Sequence, residues 1–190
     1  MLGPILVGER VRLEPPRAEF FPAYERWFAD TAVTRYLLHR FPFTPQAEAE
    51  WLETVGKDPH QVIWAIVAKP DGRLVGNTAL EHIDWRNRRA ESGIVIGEKD
   101  EWRKGYASEA MRLRTRYAFR ELGLETVTTR VAMANEASRR GLERAGYRQA
   151  GVLRRHWFVD GHWQDAWIGE ILRDEWEASQ EKTSGSCRSA

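Results

Sequence analysis

The sequence predicts an α+β fold, a mixed and mostly antiparallel sheet with helices on both faces. Three observations carry that expectation. Segments with the two-residue alternation of strands and segments with helical spacing follow one another in the order β α α β β β α β α β β. Two turns, Pro70-Asp71-Gly72 and Asp160-Gly161, join neighbouring strand segments and so impose antiparallel hairpins. The 190 residues suit one domain with a sizeable core, expected over 1–178. Positions 179–190 are mostly small and polar, four of them Ser, without apolar periodicity, and are expected to form a disordered polar tail.

Val11 and Leu13 alternate with Arg12 and Glu14 in a first strand stopped by Pro15-Pro16. Phe20, Phe21, Tyr24, Trp27 and Phe28 then fall on one face of a helix. Thr44-Pro45 is a cap-then-proline start for a second helix presenting Ala47, Trp51 and Val55. Strands follow at Val62 to Lys69 and Leu74 to Ile83, and after a polar break at Ala90 to Gly97. The helix from about Lys104 to Leu122 buries Ala107, Ala110, Met111, Tyr117, Ala118 and Leu122, with a gap in that face at Arg114, and Gly123 ends it. Val127, Thr129, Val131 and Met133 alternate as a strand, and Glu136 to Ala145 is a short helix closed by Gly146. Two aromatic-rich strands, Arg148 to Val159 and Trp163 to Leu172, complete the fold.

Charge and composition exclude several functions. Lys and Arg total 29 against 28 Asp and Glu, so the basic excess that a dedicated nucleic-acid binder or a polybasic membrane-surface protein needs is missing. No apolar run approaches the roughly 20 residues that span a bilayer. Neither a secretory leader nor a cysteine framework is visible, since Cys187 is the single cysteine and is expected to be an incidental thiol. A cytoplasmic protein without a metal site is the expectation.

The segment from Glu91 to Ser108 carries the chemistry. A strand runs into a basic turn that opens directly into a helix, whose first N–H groups have no intrahelical partner and whose dipole is positive there. Gly105 lets the backbone approach a ligand closely, Ala107 does not block it, and Arg103 and Lys104 add charge at the rim. Together they make a seat for a diphosphate-like anion, or else an ordinary β–α connection. Neither the P-loop pattern nor the dinucleotide glycine fingerprint is present.

Trp102-Arg103-Lys104-Gly105-Tyr106-Ala107, continued by Ser108-Glu109-Ala110, resembles motif A of the GNAT superfamily of acetyl-CoA-dependent N-acetyltransferases. Within it the chain is similar to the branch of the RimJ/RimL ribosomal-protein N-terminal acetyltransferases. Trp102 replaces the Gln or Arg of the general pattern, and Arg103 stands where the branch usually has its first glycine. Asn135-Glu-Ala-Ser138-Arg139, ending at Ala145-Gly146-Tyr147, resembles a second segment of that branch, as do Arg10 to Leu13, Phe43-Thr-Pro45 and Asp160-Gly161 with Asp165. The resemblance implies a three-layer α/β/α fold whose sheet splays between its fourth and fifth strands. It implies that the pantothenate arm of CoA pairs with backbone at Val95, Ile96 and Gly97. The pyrophosphate would rest on Arg103, Lys104, Gly105, Tyr106, Ala107 and Ser108, with Asn135 and Arg139 also on the cofactor side. The acceptor would be a primary amine, a peptide or protein N-terminus before a small molecule such as a polyamine, amino acid or drug.

Amide formation needs a neutral amine. At pH 7 an α-amine is roughly one-seventh neutral and a lysine under about 0.1%, a difference of about 3.5 kcal/mol, so a lysine-directed enzyme depends far more on a base. Glu91 is the first candidate, fourteen residues before Gly105, the spacing at which histone-acetylating members carry their glutamate. The alternative for Glu91 is an ion pair with Arg86, Arg88 or Arg89, and Glu81 and His82 are then the fallback bases. The tyrosine that many members place seven residues after the asparagine is Leu142 here, and Tyr147 fills a packing position. That leaves Ser138 as candidate acid, or equally as the third residue of a helix capped by Asn135. An acid is dispensable, because a thiol of pKa about 8.5 leaves as thiolate. The oxyanion is expected on the amides of Val95 to Gly97. His82, Trp85 and Asp165 are the acceptor-site candidates, Asp165 to hold an ammonium, with Trp157, Trp163 and Trp167 as further walls. A catalytically silent acyl-CoA-binding module is the competing reading. The exposed final strand offers an edge for a homodimer.

Overall fold

The computed structural model describes residues 1–186. Eight strands form one sheet in the order β1-β2-β3-β4-β5-β6-β8-β7. They are β1 (Leu6–Val7), β2 (Val11–Glu14), β3 (Val62–Ala68), β4 (Leu74–Asp84), β5 (Arg89–Ile96), β6 (Thr126–Ala132), β7 (Arg148–Val159) and β8 (His162–Leu172). Every pairing is antiparallel except β5 with β6, which is parallel. The helices are α1 (Phe21–Phe28), α2 (Thr31–Thr34), α3 (Pro45–Lys57), α4 (Tyr106–Arg120), α5 (Glu136–Arg144) and α6 (Arg173–Ser186). The expected α+β class and element order hold, with β1, α2 and α6 added to it.

β3 explains how the layers form. It is apolar at every position and wholly buried, as a strand covered on both faces must be. Val62, Trp64 and Ile66 join the core under α4 with Met111 and Phe119, whereas Ala65 and Val67 pack under α1 with Tyr24 and Trp27. The same alternation along β4 sends Ala79 to α3, against Val55 and Trp51. α3 starts as its sequence dictates, with the Thr44 hydroxyl accepting from the Ala47 amide at 3.2 Å and Pro45 in the first turn.

The expected splay lies between β5 and β6. Their parallel register covers only Arg89 to Glu91 against Thr126 to Thr128, after which the strands diverge. Two expectations are corrected. The final strand is not an edge: β8 inserts between β6 and β7, so β7 is the outer strand, because β8 is long enough to pair along both. The chain does not leave the fold at Ser179, because α6 continues to Ser186. Trp176, 6% exposed and against Phe119, anchors its first turn to the core. Cys187 lies outside the described residues. Among the described residues no helix is long and apolar enough to cross a membrane.

Candidate active site

The divergence of β5 from β6 opens a cavity of about 1250 Å³. That exceeds the range of about 300–1,000 Å³ usual for one small ligand. Its walls come from α1, α3, the 35–43 segment, β4, β5, the start of α4, β6, α5 and β7.

One end is made of main chain. Gly105 is the N-cap residue of α4 at φ 88°, and no side chain caps the helix, so the first-turn amides of α4 are left for a ligand. Arg103, in the glycine position of the related loops, takes a glycine-like φ of 66°, so the turn keeps its shape with arginine there. Trp102 donates from its indole N–H to the Ile96 carbonyl at 2.8 Å and ties the turn to the end of β5. Arg10, on the first turn of chain before β2, donates to the Lys104 carbonyl at 3.1 Å and adds a cation that sequence reasoning did not place. Arg103, Gly105, Tyr106, Ala107 and Ser108 line the cavity. Lys104 does not, being paired with Glu101 at 3.0 Å.

Strand parity decides which amides face the gap. Gly97 donates to Val75 on β4 at 2.9 Å, and the alternation of an antiparallel ladder turns the Val95 and Gly93 groups the same way. Ser92 accepts from the Thr129 hydroxyl on β6 at 2.9 Å, so Ser92, Ile94 and Ile96 face the divergence. The expectation for Val95 to Gly97 is therefore shifted. The Ile94 N–H and C=O and the Ile96 N–H point into the gap, whereas the Val95 and Gly97 amides serve the sheet. Gly97 is required for packing, since a Cβ there would lie 1.9 Å from the Trp27 ring.

The other end is made of side chains. Glu91 lines the cavity, but Arg130 on β6 grips it bidentately, Nε to Oε1 at 2.7 Å and a second nitrogen to Oε2 at 2.8 Å. The partner is neither Arg86, Arg88 nor Arg89, because parallel pairing brings β6 alongside. Engaged by a guanidinium on both oxygens, Glu91 is poorly placed to accept a proton from an amine. Glu81, directly opposite Glu91 on β4, also lines the cavity and has no hydrogen-bond partner among the described residues. Burial pushes its carboxyl up, and the Glu91 charge adds to this, while His82, Arg114 and Arg130 oppose it.

Asn135 and Ser138 line the cavity at the start of α5, where the Asn135 side chain caps the Ser138 amide at 3.3 Å. Arg139 turns away, donating to the Met133 sulfur at 3.1 Å. Leu142 is core, 2% exposed, and the Tyr147 hydroxyl sits in a buried group with Ser92 at 3.3 Å and Thr115 at 3.4 Å.

The acceptor-side expectations need correction. Trp85 lies with His60 in a separate shallow depression; His82, at φ 51° in a bulge after Glu81, lines that depression too, while its Nδ1 stays 3.7 Å from the Glu91 carboxylate at the edge of the cavity. Asp165 accepts from the Arg155 amide at 2.9 Å and steadies a bulge of β7, not an ammonium. Trp167 is buried in the core and Trp163 is exposed on the hairpin, so of the four tryptophans expected there only Trp157 lines the cavity.

Two groups escaped sequence reasoning. Arg114, the gap in the apolar face of α4, is fully buried; it donates to Thr78 at 2.6 Å and to the Gly93 carbonyl at 2.7 Å and also lines the cavity. Around the cavity, too, buried polar atoms lack partners. Seven described residues carry such atoms, and five of them, Tyr24, Glu48, Asn77, Arg114 and Trp157, line it. Buried polar groups are almost always satisfied, so this concentration marks where water or a bound molecule completes the bonding.

Comparison with known proteins points to the same chemistry. The family model described as "Acetyltransferase (GNAT) domain" matches residues 10–148. YoaA of Bacillus subtilis, named as an uncharacterized N-acetyltransferase, is 29% identical over 173 residues, 90% of this chain and 97% of that protein. A GCN5-related N-acetyltransferase from Brucella melitensis superposes with a TM-score of 0.75 at 30% identity, covering 92% of this chain and 80% of the other. The spermidine N-acetyltransferase of Vibrio cholerae, solved with CoA and spermine, shares the fold with a TM-score of 0.82 at 20% identity, covering 89% of this chain and 99% of that one.

Proposed function

The chain belongs to the GNAT acetyltransferase family, and from that premise we propose that it moves an acetyl group from acetyl-CoA directly to a primary amine, above all the α-amine of a peptide or protein N-terminus. The observation that carries this reading is the meeting, in one cavity, of a main-chain anion seat at α4 with the half-buried carboxylate of Glu81.

Acetyl-CoA supplies the acyl group as a thioester. The residues fit it on two counts. The α4 start offers uncapped amides beside Arg103 and Arg10, suited to a pyrophosphate. The β5 edge offers the Ile94 and Ile96 groups, suited to an extended amide-bearing arm. Glu81 takes the proton from the incoming ammonium, directly or through one water, and its raised pKa improves it as a base near neutrality. The Ile94 N–H is the donor aimed at charge developing on the carbonyl oxygen, and Arg114 fixes that strand by holding the Gly93 carbonyl. Ser138 lines the same cavity on the α5 side, near where a thiolate would depart.

The α-amine reading rests on the resemblance in the Trp102–Ala110 and Asn135–Tyr147 segments. The test is calorimetry with acetyl-CoA, followed by thiol release with short peptides and alkylamines. Uptake of acetyl-CoA with turnover on at least one amine class is expected. Uptake with silence across the panel overturns the enzymatic reading in favour of an acyl-CoA-binding module.

A further inference from the structure

Four glutamates are buried among the described residues, and three of them are satisfied. Glu14 is paired with Arg12 at 2.6 Å and Arg17 at 2.7 Å. Glu101 is paired with Arg73 and with Lys104 at 3.0 Å, and Glu109 accepts from the Glu9 and Arg10 amides. Glu48 is the exception. It is 3% exposed on α3, neither oxygen has a partner, and the charged group that acts on it is another acid, Glu25. An unpaired buried carboxylate is a large cost for a fold to carry without compensation.

The groups beside it define what would compensate. Tyr24, 3% exposed, and Asn77 share the cavity wall with Glu48. The Tyr24 hydroxyl sits beside the Asn77 amide without a geometry that makes a hydrogen bond, and both it and the Asn77 Oδ1 are unpartnered. Trp51 packs edge-on to Tyr24 with ring centroids 6.3 Å apart and closes the pocket with an aromatic wall. Two carboxylate oxygens, an amide oxygen and a phenol oxygen beside aromatic rings form an acceptor-rich nest. Its complement is a group with three donors and a positive charge, an alkylammonium.

We propose that Glu48, Tyr24 and Asn77 form a subsite for a second, alkylammonium nitrogen of the acceptor, distinct from the nitrogen that is acetylated. This rests on the acetyl-transfer reading, with Glu81 at the reacting end. Asn77, Ala79 and Glu81 share one face of β4 in unbroken register with Val95, Gly93 and Glu91. The two polar ends are thus four residues apart along the strand, about 13 Å between Cα atoms. The floor between them is Ala79 opposite Gly93, which is small and apolar and suits a methylene chain. The shared chemistry is an amine with a second ammonium several carbons away, whether a free diamine or a lysine side chain near a peptide N-terminus.

The experiment compares kcat/KM of the full chain, at saturating acetyl-CoA, for α,ω-diaminoalkanes of stepped length against n-alkylamines. A parallel arm uses short peptides with lysine or norleucine at the second position. A preference for the doubly charged acceptor of roughly ten- to a hundred-fold is expected, the size of a charge-assisted hydrogen bond in a buried site. The Glu48→Gln variant should collapse that ratio towards one, and Glu48→Asp should restore part of it. The arm that shows the preference identifies the source. Calorimetric binding of the diamine to the CoA-loaded chain gives a second readout, weakened alike in Glu48→Gln and Asn77→Ala, which covers a variant that fails to fold. Equal rates for singly and doubly charged acceptors in both arms, or a preference untouched by Glu48→Gln, overturn the proposal. If no amine turns over but diamine binding still depends on Glu48, the transfer reading fails while the subsite stands.

Discussion

The two ends of the cavity are built from different materials. At the α4 end the polar atoms on offer are main-chain N–H groups, held by a helix start, a glycine in the left-handed region and the edge of β5. At the far end they are side chains, Glu81, Glu48, Tyr24 and Asn77, delivered by a strand and two helices that meet only in the folded chain. A backbone seat changes little when one side chain is replaced, because the amides stay where the fold puts them. A side-chain seat loses a whole interaction with a single atom. The acceptor end should therefore be the brittle one and the cosubstrate end the tolerant one.

The sharpest way to break that contrast is at Glu81. Glu81→Gln should lower kcat/KM by about a hundred- to a thousand-fold, the usual worth of a general base, while leaving acetyl-CoA affinity nearly intact. Glu91→Gln should cost about tenfold, through loss of the charge-assisted Arg130 anchor. The reverse ranking in steady-state rates returns the role of base to Glu91.

A smaller effect, on stability, comes from Glu48. Burial, and then the charge of Glu25, raises its carboxyl from 4.5 to about 7. The folded chain thus holds this proton where the unfolded chain has released it. Glu48 therefore favours the fold least at high pH: stability falls as pH rises from about 4.5 through about 7, by on the order of 3 kcal/mol. Glu48→Gln should flatten that part of the profile and raise the urea midpoint more at about pH 8 than at about pH 5. A variant with the slope of the parent shows that Glu48 is compensated by other means.

The tolerant end should show the smallest changes. Gly105→Val, forced to φ 88°, carries a penalty of about 1–2 kcal/mol and should weaken acetyl-CoA by about tenfold in calorimetry. Arg103→Gly removes strain of the same kind at φ 66° and should raise stability by up to about 1 kcal/mol while weakening acetyl-CoA only a few-fold. A loss at Gly105 as large as that at Glu81 would erase the distinction between the two ends.

The same division explains what the sequence alone makes legible. Gly105 and the uncapped start of α4 are local features, so the anion seat and the order of most elements follow from adjacent residues. The roles of the acids depend on register. Glu81 stands opposite Glu91 through the β4–β5 ladder, and Arg130 reaches Glu91 through the parallel β5–β6 pairing, neither of which composition or spacing reveals. The direction of the β5 amides likewise turns on one bond, from Gly97 to Val75. For two groups a signal exists. Arg114 interrupts the apolar face of α4, and Glu48 lies three residues before Trp51 and seven before Val55, which puts an acid on the buried face of α3. His82 and Asp165 mislead because a bulge, which shifts the alternation by one, leaves no mark in the residue pattern.

The short seam between β5 and β6 has a mechanical consequence. Only Arg89 to Glu91 pair across it, and just past them the Glu91–Arg130 ion pair and the Thr129–Ser92 bond act as rivets. The sheet is in effect two leaves, β1 to β5 and β6 to β8, hinged at one end like a half-open book. A molecule wedged between the leaves takes over stitching that the chain itself leaves undone, so occupancy should stiffen the hinge and make the two leaves melt as one.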